Sequence, residues 1–255
     1  MSDQIRSYWD KQAEKHGASY LATMPDKYAK DLEIESISRF LRDGMAVLDA
    51  GCGNGYSTFA YAKMYDIEIV GLDYSKQMIV QAEAHNNNDR VQFICADVLE
   101  MPFGDCTFDM VLTDRCLTNL TTRPMQEKAL QEIHRVLKPG GAYIMCENTQ
   151  QGLSALNDVR EHAGLPRIEM RWHNLYLDEG HILPFAETLF TVREERNFAS
   201  FYYLASRIIN ARISQEQGQE PRYDHDINRV AALVSAHIDC GNYSSLKLYE
   251  MVKQC

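Results

Sequence analysis

The sequence predicts a doubly wound α/β fold: a largely parallel sheet with helices on both faces and helical cap elements from the two ends of the chain. Three observations lead to it. Between residues 45 and 147, short and almost wholly apolar runs alternate with helical stretches, the pattern of a parallel sheet covered on both faces. The first run leads directly into a glycine-rich turn, GCGNG (51–55). The first three runs also carry an acid at their ends, Asp49, Asp73 and Asp97. That places three carboxylates along the carboxyl edge of one sheet, where open α/β sheets bind ligands.

In order along the chain, residues 3–42 read as helices, with Leu32, Ile34, Ile37, Phe40 and Leu41 at helical spacing. MAVLDA (45–50) is the first strand and TFAYAKMY (58–65) a helix. IEIVGLD (67–73) is the second strand. SKQMIVQAEAHN (75–86) is a helix that Ser75 is suited to cap, since its hydroxyl can accept from an orphan N–H of the first turn. VQFICAD (91–97) and FDMVLTD (108–114) are strands, PMQEKALQEIHRVL (124–137) is a long helix, and GAYIMCE (141–147) is the fifth strand. The regularity stops near Glu147. Helix signals and a polar aromatic stretch, RWHNLYLDEGH (171–181), occupy 148–188. TVREERNF (191–198) then reads as a strand, SFYYLASRIINARIS (200–214) as a helix, QEQGQEPRYD (215–224) as a loop and LKLYEMV (246–252) as a final strand. The expectation is one domain, residues 1–255: N-terminal helices over 1–42, a cofactor-binding core over 43–147, and cap, substrate-facing elements and last strands over 148–255.

Bulk composition narrows the function. With 45% hydrophobic residues the chain can bury a full core. Its 26 basic against 36 acidic residues give a net charge of −10, which disfavours general nucleic-acid binding. The seven cysteines are odd in number and form no C-x-x-C pair, which argues against a disulfide framework and a structural zinc site and for small buried thiols in a reducing compartment. MSDQIRSYWDKQAEKHG has no apolar signal core, and no run approaches a membrane span. A cytoplasmic protein without membrane contact or metal is expected. A homodimer stays open.

The glycine turn itself is a weak signal. It allows a ligand close to the backbone and opens a helix whose free N–H groups suit a carboxylate. A dinucleotide fingerprint requires G-x-G-x-x-G, and Tyr56 stands where its third glycine would fall. The spacing here is G-x-G-x-G, with Asp49 before it and Asp73 twenty residues after Gly53. A carboxylate at Asp73 can accept both hydroxyls of a ribose. One at Asp97 can accept from an adenine amine, with the Val98 N–H beside it.

At these residues the chain resembles a known family. VLDAGCGNG (47–55), GLDYS (71–75), CADVLEMPF (95–103), FDMVLTD (108–114) and EIHRVLKPGGAYIM (132–145) look like the successive motifs of class I S-adenosylmethionine-dependent methyltransferases. The resemblance implies a Rossmann-like seven-stranded sheet with a reversed last strand, and S-adenosyl-L-methionine as cofactor. It implies Gly51, Gly53 and Gly55 under the methionine part, Asp73 on the ribose, Asp97 at the adenine, and Tyr74 and Met78 flanking it; Asp49, Cys52 and Val98 are further candidate cofactor contacts. Asp114 would lie near the methionine end, and VLKPGG would be the turn before the fifth strand. The flanks ATMPDKY (22–28), DRCLTNL (114–120), ENTQQGLSALNDVR (147–160) and WHNLYLDE (172–179) look like methyltransferases encoded with bacterial surface-polysaccharide genes. They point to O-methylation of a sugar or other small polar metabolite within polysaccharide biosynthesis.

Methyl transfer from a sulfonium needs alignment and exclusion of water, and a hydroxyl acceptor usually needs a base. His173 is the first candidate, with an exposed loop histidine as the plain alternative. Asp114, Glu147 and Tyr20 come next, while His134, His181 and His225 have no supporting context. Arg115 can grip an anionic part of the acceptor or pair with Asp114 or Glu147. Asn119, Glu147 and Asn148 share the same edge and can bind hydroxyls, and Tyr176 is a further acceptor contact. Tyr8 and Trp9 close over the site or simply pack. N-methylation of a small metabolite or base is the alternative chemistry. TDRCLTNL lacks the D/N-P-P-Y/F motif of DNA amine methyltransferases. Tyr56 and Asp97 disfavour an NAD-dependent oxidoreductase, and a non-catalytic cofactor-binding regulator would be marked by a degraded glycine loop, which is intact here.

Overall fold

The computed structural model describes residues 3–238 and 240–254; Cys255, one of the seven cysteines, lies outside them. Seven strands form one sheet in the order β3-β2-β1-β4-β5-β7-β6: β1 (Ala46–Ala50), β2 (Glu68–Asp73), β3 (Val91–Cys95), β4 (Phe108–Asp114), β5 (Leu137–Asn148), β6 (Phe190–Arg196) and β7 (Leu246–Lys253). The pairs among β1 to β5 are parallel, and β7 runs antiparallel to both β5 and β6. The last strand is therefore the reversed one, wedged between β5 and β6.

Alternation along the strands splits the core in two. Val47, Met110, Leu112, Ile144, Cys146 and Leu248 face a layer built from α2 (Lys27–Ser38), α3 (Tyr56–Met64), α8 (Ser200–Leu204) and α10 (Asp226–Ser235). Leu48, Val111, Tyr143, Met145, Tyr249 and Met251 face α5 (Arg123–Val136) and α7 (Glu179–Glu187). Side chains of successive strand residues point to opposite faces, so every central strand must be apolar on both, as its sequence is.

Local chemistry sets the helix ends. Ser75 caps α4 (Lys76–Ala84), its hydroxyl accepting from the Met78 N–H. Asp26, Thr122, Thr149 and Asp178 cap α2, α5, α6 (Gln150–His162) and α7 in the same way. The N-terminal α1 (Asp3–His16) lies over α4, where Asp10 accepts from the Ser75 hydroxyl at 2.6 Å.

Two elements differ from the sequence reading. The KPGG segment is not a turn ahead of the fifth strand but a bulge within it. Phe108 pairs with Leu137 and Met110 with Ala142, so the surplus residues of β5 loop out and Gly140 takes a φ of 74°. Beyond the expected loop at 215–224, α10 is an element that the alternation argument does not anticipate. The helix over 200–216 contains a π-helical turn, Ala205–Ile209, between α8 and α9 (Asn210–Glu216). No helix among the described residues is long and apolar enough to cross a membrane.

Candidate functional site

The carboxyl edge of β1, β2 and β4 opens into a cavity lined by the glycine turn together with Asp49, Asp73, Tyr74, Met78, Asp114, Arg115, Cys116 and Asn119, and by Trp9, Thr23 and Lys30 from the N-terminal segment. The turn is held by backbone bonds: the Gly51 and Cys52 N–H groups donate to the Leu72 carbonyl at 2.7 and 3.0 Å. Gly51 takes a φ of 83°, and a Cβ there would stand 2.6 Å from that of Cys116; at Gly53, with a φ of 56°, it would meet Thr23 at 2.8 Å. Only glycine adopts such a backbone at low cost and leaves the floor flat. Gly55 is the N-cap of α3.

Asp73 accepts from the Gly53 N–H at 2.9 Å on one oxygen and from the Ser75 N–H at 2.8 Å on the other. Each oxygen keeps a lone pair directed away from the backbone. Burial pushes this carboxyl up to about 6, against those two hydrogen bonds. Asp49 accepts from the Thr58 hydroxyl at 2.6 Å, and its burial pushes it up to about 7. The Tyr74 hydroxyl is buried without a partner. Met78 lines the cavity, but Asp97 and Val98 do not; the Asp97 carboxylate accepts from the Leu99 N–H at 3.0 Å in its own turn.

In the wall of the cavity lies a cluster of four charges, Lys30, Glu33, Asp114 and Arg115. Lys30 Nζ binds Asp114 and, at 3.2 Å, Glu33. Arg115 Nε lies 3.0 Å from Glu33 and 3.5 Å from Asp114, on a residue whose φ of 56° departs from the strand. Burial raises Asp114, but Lys30 and Arg115 outweigh it and hold the carboxyl below its usual range. Burial pushes Glu33 up to about 7. An acid committed to two cations and held ionised is a poor proton acceptor, so the expectation that Asp114 acts as a base gives way to that of a charged anchor. Of the pairings foreseen for Arg115, the one with Asp114 forms and the one with Glu147 does not.

Glu147 requires a correction. It is fully buried, and its two oxygens accept from the backbone N–H groups of Cys116, Leu117 and Thr118 at 2.9, 2.9 and 3.2 Å. It caps the turn after β4 instead of binding an acceptor, and burial pushes it up to about 7. Tyr20 also faces neither cavity at the site. It packs edge-on to Tyr56 and lines a separate groove with Tyr28 and Tyr223.

A second cavity adjoins the first through Trp9, Thr23, Arg115 and Asn119. His173, Tyr176, Asn148 and Ser245 line it, with Tyr203 and Arg207 from the C-terminal helices. The 163–178 segment is laced onto the sheet edge: Leu175 N donates to the Thr118 carbonyl at 2.7 Å and Leu177 N to that of Asn148 at 2.9 Å. This carries His173 into the interior, 2% exposed. Its ring stacks on Tyr8 at 4.4 Å and meets Trp9 and Trp172 edge-on. The exposed-loop alternative for His173 therefore fails. Its Nδ1 is buried without a partner, and burial together with Arg171 lowers its pKa to about 4. The Trp9 indole donates to Asn119 at 3.2 Å, and the Asn148 amide oxygen accepts from Ser245 at 2.8 Å.

Sequence reasoning missed Lys30, Glu33, Thr58 and Asn54. Lys30 and Glu33 carried a signal: charges at i and i+3 on the α2 face that also holds Ile34 and Ile37, where solvated charges have no place.

Residues 47–141 match the methyltransferase domain family. A stretch of 122 residues, 47% of the chain, is 37% identical to demethylmenaquinone methyltransferase from Staphylococcus aureus and spans 49% of that protein. The chain thus spans about half the length of such relatives. Among solved structures, a chain of the complex between the Haloferax volcanii Trm112 methyltransferase activator and its proposed methyltransferase superposes with a TM-score of 0.64 at 20% identity, covering 100% of both chains. The N-methyltransferase NodS from Bradyrhizobium japonicum, in complex with S-adenosyl-L-homocysteine, does so at 0.61 and 12%, covering 99% of each. Likenesses at these identities establish the fold.

Proposed function

We infer, from the premise that residues 47–141 form a class I S-adenosylmethionine-dependent methyltransferase domain, that the chain is an S-adenosyl-L-methionine-dependent enzyme that methylates a hydroxyl of a sugar or other small polar metabolite. The residues present fit the cofactor. The glycine floor has no room for Cβ atoms, Asp73 offers a lone pair on each oxygen for a ribose, and the Tyr74 hydroxyl stands buried and unpartnered in the same cavity. When bound, the cofactor supplies an electrophilic methyl group on sulfur, whose C–S bond breaks toward sulfur as the acceptor oxygen forms its new O–C bond.

The chain's residues then have three tasks. Asp73 and the glycine turn hold the nucleoside and amino-acid parts. Trp9 stands at the junction of the two cavities and packs with Tyr8 on His173, in the wall of the second; together they exclude water, which strengthens every electrostatic contact inside. His173 takes the hydroxyl proton at its unpartnered Nδ1. A ring with a pKa near 4 is neutral throughout the physiological range and so is always ready to accept. It is a weak base, but the oxygen it serves becomes strongly acidic once the new bond forms. The imidazolium is then disfavoured by burial and by Arg171, so the proton leaves quickly to solvent.

The observation that carries this reading is the buried His173, a residue that lines the cavity adjoining the glycine turn and whose Nδ1 has no partner. With the acceptor in hand, His173→Asn should lower kcat by about 100-fold, the usual scale of general-base loss, with the S-adenosylhomocysteine Kd nearly unchanged by calorimetry. Unaltered kcat would point instead to N-methylation, since an amine can arrive already deprotonated.

A further inference from the structure

We propose that the acceptor carries an oxyanion, a carboxylate or a phosphate, and that Arg171 is the specificity-determining residue that grips it. This rests on the methyltransferase reading and on the assignment of the second cavity to the acceptor.

Three guanidiniums line that cavity, those of Arg115, Arg171 and Arg207. Two are already matched. Arg115 is divided between Glu33 and Asp114. Arg207, on the π-helical turn, lies 4.9 and 4.8 Å from the rings of Tyr203 and Tyr223 and binds Asp26 at 2.6 Å. Asp26 is itself buried and also accepts from the Tyr202 hydroxyl at 2.7 Å. Arg171 has no carboxylate partner among the described residues. Arg171 is an exposed residue that lines the cavity two positions before the buried His173, and its charge helps to lower the His173 pKa. Glu169, also exposed, lines the cavity as well.

A chain of net charge −10 thus leaves a guanidinium unmatched at the wall that holds its candidate base. A planar fork of donors is the group that recognises carboxylate or phosphate oxygens two at a time. Of the two acids that line the cavity, Asp26 is taken by Arg207 and Glu169 is the one an ammonium acceptor could use, whereas a neutral polyol would leave the Arg171 charge unused.

The chain supplies its own reporter. Its two tryptophans, Trp9 and Trp172, both touch His173, with ring centroids 5.6 and 5.2 Å away. Protein saturated with S-adenosylhomocysteine is titrated with inorganic phosphate and, separately, with acetate, against sodium chloride at matched ionic strength, while tryptophan fluorescence is followed. The expected result is a saturable change with at least one oxyanion that chloride does not reproduce. Arg171→Gln should weaken it tenfold or more, and Arg193→Gln, on the exposed side of β6, should leave it intact. A response to phosphate alone identifies a phosphorylated acceptor, and one to acetate alone a carboxylated one. Should Arg171→Gln lower the thermal midpoint, Arg171→Lys keeps the charge without the fork and should weaken binding at least threefold. No saturable change with either anion, or an unchanged Kd in the Arg171 variants, overturns the proposal. Failure of S-adenosylhomocysteine to bind, read by calorimetry, strikes the methyltransferase reading instead; the anion titration is then repeated on the free protein and judges Arg171 separately.

Discussion

In the proposed function, Asp73 is the residue on which cofactor binding turns. Burial holds its carboxyl near 6 in the free protein, and a ribose donating two hydroxyls favours the ionised form. Binding therefore pulls protons off, and affinity falls as pH drops through that value. The S-adenosylhomocysteine Kd should be nearly flat above pH 7 and rise steeply below pH 6, with an earlier contribution from Asp49, which titrates near 7 in the same cavity. Asp73→Asn exchanges one acceptor oxygen for a donor and loses one or two charge-assisted bonds, each worth about 1.5–3 kcal/mol before water compensates. It should raise that Kd about 10- to 100-fold at pH 8 and remove the component below pH 6. Calorimetry across pH checks both, and an unaltered Kd would remove Asp73 from the ribose. His173 titrates near 4, so kcat should show no histidine limb between pH 6 and 8.

At the scale of elements, the turn after β4 is held by Glu147. Three backbone N–H groups converge on one buried carboxylate, and the same turn carries Arg115, Cys116 and Asn119 into the first cavity. Glu147→Ala would leave those donors unpaired and should cost about 3 kcal/mol of stability, read as a fall in the denaturant midpoint. The folded pKa of about 7 lies above the ordinary value of 4.5, so the native state binds this proton more tightly than the unfolded chain. Stability from this group is full below pH 4.5 and is lost as pH rises through 7. Glu147→Gln, which mimics the protonated acid, should therefore cost more at pH 5 than at pH 8. An opposite trend would show that the carboxylate is needed ionised.

At the scale of the whole molecule, the N-terminal helices complete a site that the sheet begins. The Asn54 amide, inside the glycine turn, donates to the carbonyls of Gly17 and Ser19 at 2.7 and 2.8 Å, and Asp10 ties α1 to the start of α4. The cover over the cofactor cavity is thus fastened to the cavity floor. Asn54→Ala should loosen it, raising the S-adenosylhomocysteine dissociation rate about tenfold, the kinetic equivalent of one to two net hydrogen bonds, with a small change in thermal midpoint. Stopped-flow displacement measures this, and an unchanged rate would show that the cover does not gate release.

The sequence by itself determined the sheet, the glycine turn and the acids at Asp49 and Asp73. Each depends on a local pattern: apolar runs of strand length, glycines where φ must be positive, and carboxylates at strand ends next in line. The reversal of β7 came from motif resemblance and not from periodicity, and its place between β5 and β6 only from the structure, since strand order is a long-range property. Only the tertiary structure decided which charges meet. Lys30 and Glu33 lie more than 80 residues from Asp114 and Arg115, and nothing in their own neighbourhood names those partners. Glu147 read from sequence as an acceptor contact, a base or a partner of Arg115, and it became the cap of a turn only when the chain after β4 folded back over it. Burial has the same character. His173, in a polar stretch, reads from sequence as a solvated loop residue or a base, and it becomes a dry, neutral imidazole only because Tyr8, Trp9 and the laced 163–178 segment enclose it. Contacts between residues near in sequence are written in composition and spacing. Desolvation and ion pairing depend on distances in space, which the chain acquires only when it folds.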